Sequence, residues 1–291
     1  MGTLPFKQVD VFTQKPFWGN PVAVVIGAEM LATAEMQRIA AWTNLSETTF
    51  LLPPSSNQAD YRLRIFSPKQ EMPFAGHPTV GSAHAVIESG YATSTDGKLR
   101  QECLAGILDL AVNETALGKQ IFVQAPQPTI TAMSGALTTA LIGALAVVPA
   151  SGIEFLRIDL GVVWIVADVG DAGSVAALRP DMAAVAKLSA SINATGVTVF
   201  GRAADGISAL HVRSFAPSQG IPEDPVCGSG NASVAAFLLH TGKLNDFGSK
   251  YVARQGMQVG RDGQVAVRVD GDRIWIGGYA VTCVDGSLRI R

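Results

Sequence analysis

A chain of 291 residues with 48% hydrophobic and only 16% charged residues holds ample material for buried sheets and excludes a disordered protein. Its formal net charge of −2 leaves no basic footprint, so nucleic-acid binding is not expected. Cys103, Cys227 and Cys283 are scattered without metal-type spacing and read as the reduced thiols of a cytoplasmic protein. The longest apolar run, Ala136 to Val148, is interrupted by Thr138 and Thr139 and is too short to span a bilayer; it reads as a buried helix.

In chain order, Phe6–Phe12 alternates as a strand, not as the apolar core of a secretion signal, and turns through Trp18-Gly-Asn-Pro21 into the apolar strand Val22–Ile26. Thr33 is the expected N-cap of a helix through Trp42, because Met36, Ile39 and Ala40 recur at helical spacing. Asn44-Leu-Ser-Glu-Thr-Thr-Phe50 then passes from polar residues at a helix exit into a strand. Tyr61–Phe66 alternates like a half-buried strand, a Gly-rich loop and helix follow over 73–87, and closing strands run to Val123. Ala125-Pro-Gln-Pro128 blocks regular structure and divides the chain into expected domains 1–126 and 127–291, with the segment from about 280 packing back on the first. The second part is expected to hold a helix over Ala132–Val147, strands over Ile153–Leu160 and Val162–Ala167, and a helix over Pro180–Ser189. Strands Gly196–Phe200 and Ala209–Phe215 lead to a second Gly-rich loop and helix over 222–237, and Gly-punctuated strands finish the chain.

The two loop–helix segments read as copies of one unit: Pro73-Phe-Ala-Gly-His-Pro-Thr-Val-Gly81 and Pro225-Val-Cys-Gly-Ser-Gly-Asn-Ala-Ser233. The lead-ins also look alike, with Phe66-Ser-Pro68 seven residues before Pro73 and Phe215-Ala-Pro217 seven before Pro222. A repeat of half the chain means two similar domains rather than a solenoid. Strands outnumber helices and one central helix recurs per half, an α+β pattern of two pseudo-symmetric domains. Each Gly/Ser loop entering a helix leaves unpaired N–H groups at the positive end of the helix dipole, a ready place for a carboxylate or phosphate. A small carboxylated substrate in a cleft between two such loops is the expected ligand.

Three groups of residues carry candidate chemistry. Glu47 sits where a helix hands over to a strand, between Leu45 and Phe50-Leu-Leu52; partial burial there raises a carboxyl's pKa toward neutrality, as a general acid/base needs. His77 in the first loop and Asp224 and Ser229 at the second are placed to orient a substrate, although His77 also reads as a cap residue and Asp224 as a turn-former. Cys227 opens the second helix, where the dipole would lower a thiol's pKa; its counterpart in the first loop is Ala75. A nucleotide-loop reading of Gly228-Ser-Gly230 fails, since Ser233 stands where a third glycine is wanted. The histidines do not cluster as ligands, so no metal is expected.

Asn44-Leu-Ser-Glu-Thr-Thr-Phe50, Pro73–Gly81 and Glu223-Asp-Pro-Val-Cys-Gly-Ser229 together resemble the phenazine-biosynthesis isomerase family, the PhzF-like proteins, over essentially the whole chain. The resemblance implies the diaminopimelate epimerase fold: two domains, each a mixed sheet curled around a central helix, with the active site in the cleft between them. It implies a cofactor-free isomerase of the type that moves a proton within dihydro-3-hydroxyanthranilate, and a homodimer. Catalytic roles fall on Glu47, His77 and Asp224, and substrate-loop positions on Gly76, Cys227, Gly228 and Ser229. Two-thiol racemases of the same fold place a second cysteine where Ala75 stands, and the phenazine enzyme has Thr in place of Cys227. An epimerase using Glu47 and Cys227 on opposite substrate faces, and a member that binds without turnover, are the alternative expectations.

Overall fold

The computed structural model describes residues 2–147 and 153–290. It divides into two compact units, Met1–Gln124 with Gly277–Arg291, and Ala125–Ile276. No helix among the described residues is long and apolar enough to cross a membrane.

In the first unit, β1 (Gly2–Val11) lies between β2 (Asn20–Ile26) and the C-terminal strand Ala280–Ile290, antiparallel to both. The helix α1 (Thr33–Thr43) is the crossover that lets β3 (Thr48–Leu52) run parallel to β2. Its N-cap is Ala32, one residue earlier than the sequence suggests. Glu35 reaches back to accept the Ala32 N–H at 2.8 Å, while the Thr33 hydroxyl accepts from Arg64 at 3.0 Å. Every residue of β3 is buried, because helices cover both of its faces. Phe50 and Leu52 pack with Met36 and Ala40 of α1.

Antiparallel to β3 runs β4 (Tyr61–Phe66), followed by the short β5 (Glu71–Met72), the central helix α2 (Gly76–Glu88), and β6 (Lys98–Cys103), which returns parallel to β4. The hairpin β7 (Gly106–Thr115) and β8 (Gly118–Gln124) closes the unit, β7 antiparallel to β6. Small residues bring α2 down onto the sheet. A Cβ added at Gly81 would lie 2.5 Å from Val22 Cγ1 and 2.7 Å from Val11 Cγ2. In an open helix Gly→Ala gains stability, by about 1 kcal/mol. Here the clash reverses the sign, and chemical denaturation of Gly81→Ala is expected to show a loss of about 1–3 kcal/mol.

The second unit begins with β9 (Thr129–Ala132), where the sequence suggests the start of a helix; the helix α3 (Gly135–Leu145) opens after Ser134, whose hydroxyl accepts the Leu137 N–H. Val148, the last residue of the apolar run noted above, lies outside the described residues. Next come β10 (Phe155–Asp159), β11 (Val163–Asp171), the short α4 (Ala172–Ala177), α5 (Met182–Ser191) and β12 (Gly196–Arg202). They are followed by β13 (Leu210–Ala216), β14 (Ile221–Asp224), the central helix α6 (Gly228–His240), β15 (Lys250–Gln255), β16 (Gly263–Asp270) and β17 (Arg273–Gly278). α3, α4 and α5 bury Leu141, Leu145, Val175 and Val185 against Phe155, Ile165, Val197 and Phe215 of the sheet.

The repeat holds at the level of register. β2–β3 and β11–β12 are parallel, β3–β4 and β12–β13 antiparallel, β4–β6 and β13–β15 parallel, β6–β7 and β15–β16 antiparallel. Thr48 faces Phe66 as Val197 faces Phe215, which makes Gly196 the counterpart of Glu47 and Trp164 that of Val22. Pro73 and Pro225 each stand three residues before the central helix of their unit, as the alignment of the two loops expects. The equal spacing from Phe215-Ala-Pro217 to Pro222 is not the equivalent one, because the 3-10 turn Pro217–Gln219 and the strand after it lengthen the second lead-in.

Candidate active site

In the first unit, α1 ends on Asn44 in the left-handed conformation, φ 55°, and a short loop brings Glu47 to the head of β3. The Glu47 carbonyl accepts the Ala23 N–H at 3.4 Å, which ties the loop to the β2–β3 ladder. Thr49, two residues on, hydrogen-bonds both the Ala23 carbonyl at 3.2 Å and Ser82 of α2 at 2.8 Å. Glu47 and the middle of α2 are thereby tied to one strand. His77, the second residue of α2 and 8% exposed, places Nε2 3.4 Å from Glu47 Oε2; the Glu47 side chain is 14% exposed. Burial pushes the Glu47 carboxyl from its ordinary 4.5 up to about 7, against a lowering hydrogen bond from Ser46. The contact sets a carboxyl group against an imidazole inside a largely enclosed site. A Cβ at Gly76 would meet nothing within 4 Å, so close packing is not what calls for glycine at this first helical position.

In the second unit the loop before α6 is organised by Gln255, fully buried on β15. Gln255 Oε1 accepts the Cys227 N–H at 3.2 Å and the Asn231 side chain at 2.9 Å, and its Nε2 donates to the Asp224 carbonyl at 3.0 Å. Asp224 also makes the turn that one of the sequence readings expects: its Oδ1 accepts the Val226 N–H at 3.0 Å. Cys227 is the N-cap of α6, its sulfur accepting the Gly230 N–H at 3.2 Å and lying 3.5 Å from Ser229 Oγ. The thiol departs from the sequence expectation. Burial, and then the Asp224 carboxylate, push its pKa well above the ordinary value, outweighing the donors at the helix N-terminus. Ser229 in turn accepts from Trp164 Nε1 at 2.9 Å.

Each loop is anchored by an Arg–Glu fork. Arg64 Nε and NH2 donate to the two Glu71 oxygens, each at 2.7 Å, and Arg213 does the same to Glu223 at 2.9 and 2.8 Å. The forks stand at equivalent strand positions, opposite Phe50 and Val199. Neither they nor Gln255 and Trp164 stand out in the sequence, since their partners are distant along the chain or are ordinary surface residue types. The structure brings Glu47 and His77 together in the first unit, and Asp224, Cys227, Gly228 and Ser229 within one loop and helix start of the second.

Comparison with known proteins matches residues 9–286 to the family model described as phenazine biosynthesis-like protein. The chain is 39% identical over 299 residues to the Schizosaccharomyces pombe protein named antisense-enhancing sequence 1, covering 98% of each. To the trans-2,3-dihydro-3-hydroxyanthranilate isomerase of Pseudomonas chlororaphis it is 30% identical over 286 residues, covering 96% of this chain and 97% of that one. A phenazine biosynthesis protein of the PhzF family from Bacillus anthracis superposes with a TM-score of 0.86 at 28% identity, covering 100% of both chains. In fold alone, a hydroxyproline epimerase from Agrobacterium vitis is similar, with a TM-score of 0.64 at 17% identity over 98% of this chain and 92% of its own. The α+β architecture is thus the diaminopimelate epimerase-like one. Its fold, its matched length and its relatives, several of them named isomerases, agree: this chain belongs to the phenazine biosynthesis-like, PhzF family.

Proposed function

We propose that the protein is an isomerase that moves a proton within a small carboxylated substrate, with Glu47 as the acid/base and no cofactor. The observation that carries this reading is a carboxyl group raised to about 7, enclosed beside a histidine 3.4 Å away. A base poised near neutral pH both accepts a proton from carbon and returns it, which shuttling between two positions of one molecule requires. Glu47 takes the proton from an activated carbon and delivers it to another. The electron pair left behind is spread toward the substrate's unsaturation, and His77 and Asp224 steady it by hydrogen bonds. Gly76, Gly228 and Ser229, at the starts of α2 and α6, serve the carboxylate through helix N–H groups.

A second reading, epimerisation at one carbon with Cys227 as the opposing group, is favoured by the reciprocal pattern of the repeat. Each unit has one candidate proton carrier that the other lacks: Glu47 is matched by Gly196, and Cys227 by Ala75. Solvent-deuterium incorporation followed by NMR separates the two. With trans-2,3-dihydro-3-hydroxyanthranilate, diaminopimelate and the hydroxyprolines as the panel, the first reading expects deuterium at a new position of the isomerised product. The second expects it at an inverted stereocentre. No incorporation into any of them, with thermal shifts on ligand addition, would instead favour a binding protein.

A further inference from the structure

The second unit gives the space around the Glu47 counterpart to an indole ring. A Cβ at Gly196 would run into the Phe215 carbonyl, so the close approach of the β13 backbone requires glycine there, and the Trp164 ring lies beside it with Cζ3 2.9 Å from that Cβ position. Trp164 is 2% exposed and fixed in β11, and its Nε1–H donates to Ser229 Oγ at 2.9 Å. An indole is a donor only, while a serine hydroxyl has one proton and two acceptor sites. With one acceptor site filled by the indole, the Ser229 proton is turned away from Trp164. It is left for Cys227 Sγ, 3.5 Å away, or for an oxygen arriving in front of the half-buried hydroxyl. In the first unit the corresponding residues are Val22 and His77, and a valine has no proton to give.

We propose that Trp164 is a positioning residue which fixes the Ser229 hydroxyl as a hydrogen-bond donor to the substrate's carboxylate. This rests on the reading of Ser229 as a substrate contact. Without the indole, the hydroxyl rotates and offers a lone pair to the carboxylate as readily as its proton, and part of the charge-assisted bond is lost.

The test compares wild type, Trp164→Phe, Ser229→Ala and the double variant. With trans-2,3-dihydro-3-hydroxyanthranilate, Trp164→Phe is expected to raise KM about tenfold, more than it lowers kcat, and the double variant to behave like Ser229→Ala. Independent, multiplying effects of the two substitutions on KM, or a lower Tm with KM unmoved, would overturn the proposal. A substrate-free measurement runs beside it: the pH profile of Cys227 alkylation by iodoacetamide, read by peptide mass spectrometry. Ser229→Ala is expected to move that profile to higher pH, because the thiolate loses its hydroxyl donor, and Trp164→Phe to move it in the same direction by less, because the hydroxyl is present but no longer oriented. A profile left in place by Trp164→Phe also overturns the proposal. If the profile shifts as expected while wild type is inert toward the compound, the orienting role of Trp164 is supported and the choice of substrate is what fails.

Discussion

Glu47→Gln is expected to abolish proton transfer, lowering turnover by at least about a hundred- to ten-thousand-fold, and at the same time to make the protein more stable above neutral pH. Both effects come from one enclosed carboxyl. A group whose pKa is higher in the folded than in the unfolded chain contributes stability that is complete below the unfolded value and lost as pH rises through the folded one. For Glu47 that window runs from 4.5 to about 7. The upward shift is worth about 3 kcal/mol, and glutamine, isosteric with the protonated acid, does not incur that loss. Denaturation at pH 8 is therefore expected to show the variant more stable by up to about 3 kcal/mol, and at pH 4.5 or below no difference. A variant that is inactive and also less stable at pH 8 would mean that Glu47 is ionised and paired in the folded protein.

The second large effect lies in the buried Arg–Glu fork. Arg213 and Glu223 have side chains only 5% and 7% exposed, and Arg213 also donates to the carbonyls of Val175 at 3.1 Å and Leu178 at 3.0 Å. Glu223→Gln leaves a guanidinium charge buried without a counter-ion, at an expected cost of about 3–5 kcal/mol in chemical denaturation. Glu71→Gln breaks the more exposed pair, with side chains 15% and 20% exposed, and is expected to cost about 1–2 kcal/mol. The contrast is functional as well, because Glu223 immediately precedes Asp224 on β14. Replacing Arg213 and Glu223 together by Met and Leu is expected to recover most of the stability. Equal costs for the two single variants would show that burial does not set the strength of these forks.

Glu47, His77, Asp224 and Cys227 are legible in the sequence because each lies in a short segment whose local pattern names its surroundings: a helix exit into an apolar strand, or a glycine loop into a helix. The residues that hold them are not. Gln255 is 28 positions from the Cys227 N–H it accepts, and Trp164 is 65 from Ser229, so no window of sequence contains both partners. Pairing β13 with β15 and β11 with β12 brings these residues in. The error over Cys227 has the same origin. A helix N-terminus is visible in the sequence and lowers a thiol's pKa, whereas the burial and the neighbouring carboxylate that reverse the sign are properties of the packed loop. The strand Thr129–Ala132 is hidden for another reason. Four residues between a proline-rich link and a helix carry no periodicity, and only pairing with β10 defines them.

The proposed role of Glu47 requires a carboxyl poised to exchange a proton near neutral pH. The most direct measurement is the titration of its side-chain carboxyl carbon by NMR in glutamate-labelled protein, with Glu47→Gln identifying the resonance. The enclosed carboxyl is expected to titrate with a midpoint near 7. A midpoint at the ordinary 4.5 would contradict it, and the acid/base role would then pass to another group.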